Sequence, residues 1–162
     1  MKKSLAVALL ALLLSACGFH LRGPQPLPFD TIYVGAPDHS ELGAALKRSI
    51  NASGHTRVVD SPQEADARLT IISEGREKSI LSLNAAGRVR EFQLRYRFVF
   101  RVEAKEGPDY LPQNEITLTR DFSFNDSAVL AKEQEEALLY RDMQNDLVLQ
   151  IMRRMAAAKA AG

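Results

Sequence analysis

The 162-residue sequence holds one cysteine, three histidines and no tryptophan. A single cysteine, Cys17, excludes an internal disulfide and with it a stapled scaffold. His20, His39 and His55 have no second His, Cys or carboxylate at a metal-ligand spacing, so the pattern offers no zinc site. No G-x-S-x-G and no phosphate-cradling glycine loop occurs. Charge of one sign is missing too. The formal net charge is +1, and setting aside Lys2 and Lys3 leaves nineteen basic against twenty acidic residues. No nucleic-acid footprint is expected from that balance. The leading apolar run, residues 5–14, is far shorter than the roughly 20 residues of a spanning helix. No internal repeat is visible. A scaffold or binding protein is the reading these absences leave. A periplasmic hydrolase whose Ser, His and Asp assemble only in space is the catalytic alternative.

The first sixteen residues read MKKSLAVALLALLLSA. Two lysines, an apolar run and small residues make the layout of a secretory signal. It ends Leu14-Ser15-Ala16-Cys17, which resembles the bacterial lipobox. In that class the cysteine sulfur receives a diacylglycerol, the chain is cut just before it, and the new amine is acylated. One chain holds marginally at about 0.8 kcal/mol per buried CH₂, whereas two or three chains on one residue hold lastingly. Cys17 is therefore read as the lipidation site, and the covalent diacylglycerol and N-acyl chain are the only attached groups expected. Gly18, where Asp would signal retention, points to the outer membrane. Residues 17–28 form the lipidated start and a tether with three prolines between positions 23 and 28. Residues 29–162 form the domain.

Within the domain, Thr31-Ile32-Tyr33-Val34 reads as a first strand. Residues 36–53 read as a helix capped by Asp38, with Leu42, Leu46 and Ile50 on one face and Gly54 as the stop. Gly43 lies inside it and weakens it. Residues 67–83 read as a second strand with Gly75 as a possible bulge, and residues 84–87 as a turn. Residues 88–103 carry the clearest signal. Phe92, Leu94, Tyr96, Phe98, Phe100 and Val102 alternate with mostly charged residues, only Val99 breaking the polar side. A loop over residues 106–113 and a fourth strand around Ile116, Leu118, Phe122 and Phe124 follow, with Arg120 on the apolar parity. From Ser127 a long helix presents Leu139, Met143, Leu147, Ile151 and Met155. Acids cluster near its start and bases near its end, as the helix dipole favours. The expected fold is a two-layer α/β sandwich, two helices on one face of a four-stranded mixed sheet.

Two charged features stand out. Arg88, Arg90, Arg95, Arg97 and Arg101 crowd the polar face of the third strand. They suit either cross-strand acids such as Glu115 and Asp121 or an anionic partner. Lys132 sits near the start of the last helix, where a cation opposes the dipole; as a single residue it also reads as an ordinary surface lysine.

The lipobox, Cys17-Gly18-Phe19-His20-Leu21-Arg22, the element order, and Ala131-Lys132 opening the last helix together resemble the LptE family. The resemblance covers essentially the whole chain. It implies a non-catalytic lipoprotein anchored in the inner leaflet of the outer membrane, its domain facing the periplasm and the barrel lumen. Its partners would be the barrel LptD, which it plugs one-to-one, and lipopolysaccharide, which it helps deliver to the outer leaflet. It also implies lipopolysaccharide contacts through basic residues, one of them matching Lys132. A second basic position falls on Ala85 here, so Arg88 or Arg90 would substitute from the same turn. The rival reading is a lipid-anchored adaptor of another envelope machine, such as a cell-wall synthase activator.

Overall fold

The structure, a computed structural model, describes residues 26–158. Cys17 and the signal segment lie outside the described residues. One mixed sheet carries two helices. The elements run β1 (Thr31–Gly35), α1 (Glu41–Ala52), β2 (Arg57–Val59), β3 (Ala67–Leu83), β4 (Val89–Ala104), β5 (Leu111–Ser123), a 3-10 turn (Asp126–Ala128) and α2 (Val129–Ala157). The sheet order is β2-β1-β3-β4-β5. β1 pairs parallel with β2 and β3, as a strand joined through a helix should, and β3, β4 and β5 pair antiparallel.

The sheet therefore has five strands, not four. β2 is three residues long, too short to carry a periodic signal. The first helix also starts later than its pattern suggested. Ser40, not Asp38, caps it, its Oγ accepting from the Gly43 amide at 3.0 Å. Gly43 is required there, because an added Cβ would lie 2.5 Å from the Ala36 side chain. The expected loop at residues 106–113 is shorter, since Leu111 and Pro112 already belong to β5. β5 is an edge strand, where a proline costs no ladder bond.

Gly75 marks no bulge; it pairs regularly with Arg97. The first shift falls between Ile71 and Ser73, leaving Ile72 as the extra residue, and two more follow between Ile80 and Leu83, next to the turn. Before it, Leu69 and Ile71 lie opposite Val102 and Phe100. After it, Glu74, Arg76 and Lys78 lie opposite Phe98, Tyr96 and Leu94. The bulge thus turns three charged residues toward the helices.

The core lies between sheet and helices. Leu94, Tyr96, Phe98, Phe100 and Val102 of β4 meet Leu42, Leu46 and Ile50 of α1 and Met143, Leu147, Ile151 and Met155 of α2, all essentially inaccessible. Leu27, at the end of the proline-rich segment, is buried in the same core. α1 packs on β1 and β2, α2 on β4 and β5, and the helices touch each other. β3 therefore runs beneath the groove between them. At the far end of α2, Arg154 donates to the Glu115 carbonyl at 2.7 Å and to Asn114, fastening the helix to β5.

Truncating Leu147, fully buried on this ridge, to Ala should cost about 2–5 kcal/mol. Leu149→Ala, on the exposed side of the same helix, should stay within about 0.5 kcal/mol. Urea denaturation of the two variants checks the pair.

Candidate functional site

The hairpin end of the molecule gathers the three basic residues singled out above. Asn84 organises the turn, its Oδ1 accepting from the amides of Ala86 and Arg88 at 3.0 Å each. Gly87 completes it at a φ of 71°, a left-handed conformation that side chains disfavour. Arg88 reaches Asp126 of the 3-10 turn at 3.8 Å. Arg90 donates to Glu91 at 3.1 Å and to the Ser82 hydroxyl at 3.2 Å. The Ser82 hydroxyl donates to the Glu91 carboxylate, and that bond, then Arg90, holds the carboxyl below its ordinary range. Lys132 approaches from α2. Its Nζ donates to Glu135 at 2.7 Å and to Ser123 at 3.2 Å, and Ser123 is the register partner of Glu91. The three cations therefore share one end of the fold. Each already faces one carboxylate, and the Lys132 side chain is only 18% exposed, so it is more sheltered than a surface lysine.

The acids of α2 sit deeper than dipole compensation needs. None falls in the first turn, and Asn125 instead caps the preceding 3-10 turn, its Oδ1 accepting from Ser127.

The wet face of the sheet is a ladder of paired charges. Arg95 meets Glu77 at 3.4 Å, Arg97 meets Glu115 at 2.6 Å and Arg101 meets Glu103 at 2.9 Å. Gln93 donates to Asp121 at 3.0 Å. The two-pronged bond from Arg97 holds the Glu115 carboxyl low. Of the two readings of this arginine row, the geometry provides acids: cross-strand ones for Arg95 and Arg97, and Glu103 of the same strand for Arg101. Val99, the one apolar residue on this parity, is buried, flanked by Arg97 and Arg101 on its strand and opposite Glu115.

The helix-facing side carries a seam that sequence periodicity did not reveal. Lys78 meets Glu136 of α2 at 2.5 Å and lies over the Phe92 ring. Arg76 donates to Gln144 at 2.8 Å and stacks over Tyr96 and Tyr140. The Tyr96 hydroxyl donates to Glu74, and the Tyr140 hydroxyl to the Glu77 carbonyl. Arg120 completes it, pairing with Asp146 at 2.5 Å. Beside the seam opens a cleft of about 620 Å³ lined by Glu41, Arg76, Lys78, Glu133 and Arg141 among others. The only sequence sign of it was the adjacent Ile71-Ile72 pair, followed by charges where alternation had placed apolar residues. Among the described residues, no group of three or more His, Cys, Asp or Glu is placed to hold a metal ion. No described helix is long and apolar enough to cross a membrane.

Burial first, and the hydrogen bond to Glu74 second, push the Tyr96 hydroxyl up to about 12. The folded state therefore holds this proton more tightly than the unfolded chain does. Its contribution to stability is complete below the ordinary tyrosine value of about 10 and is lost as pH climbs toward 12. Burial raises the Tyr140 hydroxyl as well. Ultraviolet titration of the four tyrosines should show a latest step, toward about 12, that Tyr96→Phe removes; a latest step unchanged by the substitution contradicts the assignment.

The chain is similar to known proteins over most of its length. The family described as lipopolysaccharide-assembly, LptE, matches residues 29–155. LPS-assembly lipoprotein LptE of Pectobacterium atrosepticum is 26% identical over 94% of this chain and 83% of its own length. Its counterpart in Yersinia enterocolitica is 28% identical over 97% of this chain and 76% of its own. Among solved structures, lipoprotein B of Nitrosomonas europaea superposes with a TM-score of 0.76 at 41% identity, over 90% of this chain and 94% of that one. Rare lipoprotein B of Shewanella oneidensis gives 0.68 at 26%, over 79% and 95%. Because the match spans the sheet and both helices, the chain belongs to the LptE family of lipopolysaccharide-assembly lipoproteins.

Proposed function

We propose that this lipoprotein is anchored in the outer membrane through lipidated Cys17 and that its domain plugs the lumen of the barrel LptD, where it assists lipopolysaccharide delivery to the outer leaflet. The role is architectural rather than catalytic. The observation that carries the plug reading is the wet sheet face. Its arginines are matched by Glu77, Glu115 and Glu103, so the surface is polar without a strong field of one sign. Barrel lumens are polar and water-filled, and a rigid body with such a face sits in one without burying unpaired charge.

Direct lipopolysaccharide contact is the finer part of the proposal. Arg88, Arg90 and Lys132 stand together at the hairpin end, and lipid phosphates would displace Asp126, Glu91 and Glu135 from them. Guanidinium groups bind phosphate through paired, charge-assisted bonds. Such competition would loosen lipopolysaccharide aggregates bridged by divalent ions.

A pull-down from outer membranes through a C-terminal tag should recover a heat-modifiable barrel. Its absence would sink the plug reading and favour an adaptor of another envelope machine. Reversing all three charges (Arg88→Glu, Arg90→Glu, Lys132→Glu) should weaken lipopolysaccharide binding roughly tenfold or more, as losing about 1.4 kcal/mol of charge-assisted bonding would. Unchanged binding would remove the lipid-contact part and leave the plug standing.

A further inference from the structure

We infer that the upper part of β3, residues 71–83, is an open sheet edge that accepts an extended polypeptide segment with polar side chains on both faces. For its partner this inference rests on the plug reading: the segment belongs to the barrel. β1 pairs with β3 only from Ala67 to Thr70. β4 pairs with it on the other side as far as Leu83. Past Thr70, β3 therefore has a neighbour on one side alone among the described residues, although the sheet order places it in the interior. Residues 72–81 are exposed without interruption.

Proteins guard such edges with charges that resist an incoming strand. Here the charges of the segment are drawn away from the edge. Lys78 turns to Glu136 and Arg76 to Gln144, both on α2. Glu74 accepts from Tyr96, and Glu77 pairs with Arg95, both on β4. The other exposed residues of the segment carry no charge: Ser73, Gly75 and Ser79 stand between Ile72, Ile80 and Leu81, each of which is about half exposed. The edge is long, and its charged side chains are already engaged by the strand and helix behind it, Lys78 and Glu77 in ion pairs and Arg76 and Glu74 with neutral partners.

The cleft supplies the second half of the recognition. A strand added to β3 offers main-chain bonds along the edge and sends alternate side chains to opposite faces. On the helix side they enter the cleft beside Glu41, Glu133 and Arg141. On the other they lie next to the paired charges of the wet face. Both environments are polar, which selects a hydrophilic segment over an apolar strand or an acyl chain. A barrel that encloses a water-filled lumen has such segments on its inner side.

Amide hydrogen exchange of the full lipoprotein, alone and in the complex recovered with the barrel, tests this. Alone, the amides of residues 71–83 that do not bond to β4 should exchange quickly. In the complex they should slow by roughly tenfold or more, as formation of ladder bonds requires. Protection gained elsewhere but not at residues 71–83 would overturn the inference and leave the plug reading intact. Failure to recover any barrel would overturn both. Protection already present in the isolated protein, together with a dimeric mass, would assign the edge to a second copy and overturn it as well.

Discussion

The structure turns on one extra residue. Ile72 interrupts the pairing of β3 with β4, and that one-residue offset exchanges the two faces of the residues that follow, as far as the next register shift after Ile80. Below the bulge β3 gives Leu69 and Ile71 to the core. Above it the same face carries Glu74, Arg76 and Lys78. A charged row cannot be buried in an apolar core without partners. The upper half of the sandwich is accordingly a polar seam between β3, β4 and α2, in which Tyr96, Tyr140, Glu136 and Gln144 satisfy the groups the bulge turned inward.

That seam explains the unequal helices. α1 spans twelve residues and α2 twenty-nine. The short helix begins beside Glu74 and Arg76, at the level where the apolar row of β3 ends. Only the long helix continues, and it continues on the strength of ion pairs as well as packing. With neither α1 nor β1 above that level, β3 has an open edge and an open cleft among the described residues. The lower half supplies stability; the upper half supplies the surfaces on which the proposed contacts with barrel and lipid depend.

Most of the lower half was legible from the sequence. Six apolar residues alternating from Phe92 to Val102 leave little choice but a one-sided strand, and the i+4 ridge from Leu139 to Met155 leaves little but an amphipathic helix. Gly54 and Gly87 were readable as a helix stop and a turn because their conformations are ones other residues disfavour. The rest was hidden for physical reasons. β2 is held by its parallel pairing with β1, which no local pattern records. The arginine row was visible as charge, yet its meaning depended on Glu77 and Glu115 arriving from neighbouring strands. The bulge left only two adjacent isoleucines as its trace. The end of the fold that gathers Lys132, Arg88 and Arg90 was legible by resemblance, while their carboxylate partners were not.

The direct test shifts the residues that follow the bulge by one place. Deleting Ile72 alone removes the extra residue and leaves Glu74, Arg76 and Lys78 opposite Phe98, Tyr96 and Leu94. Deleting Ile72 and Ser73 together would send Glu74, Arg76 and Lys78 to the wet face and Gly75, Glu77 and Ser79 toward the helices. In urea denaturation the double deletion should be less stable than the single deletion by more than about 2 kcal/mol, because the buried Tyr96 hydroxyl and Gln144 amide lose their partners. A double deletion as stable as the single one would contradict the claim that the register set at the bulge organises the upper half of the fold.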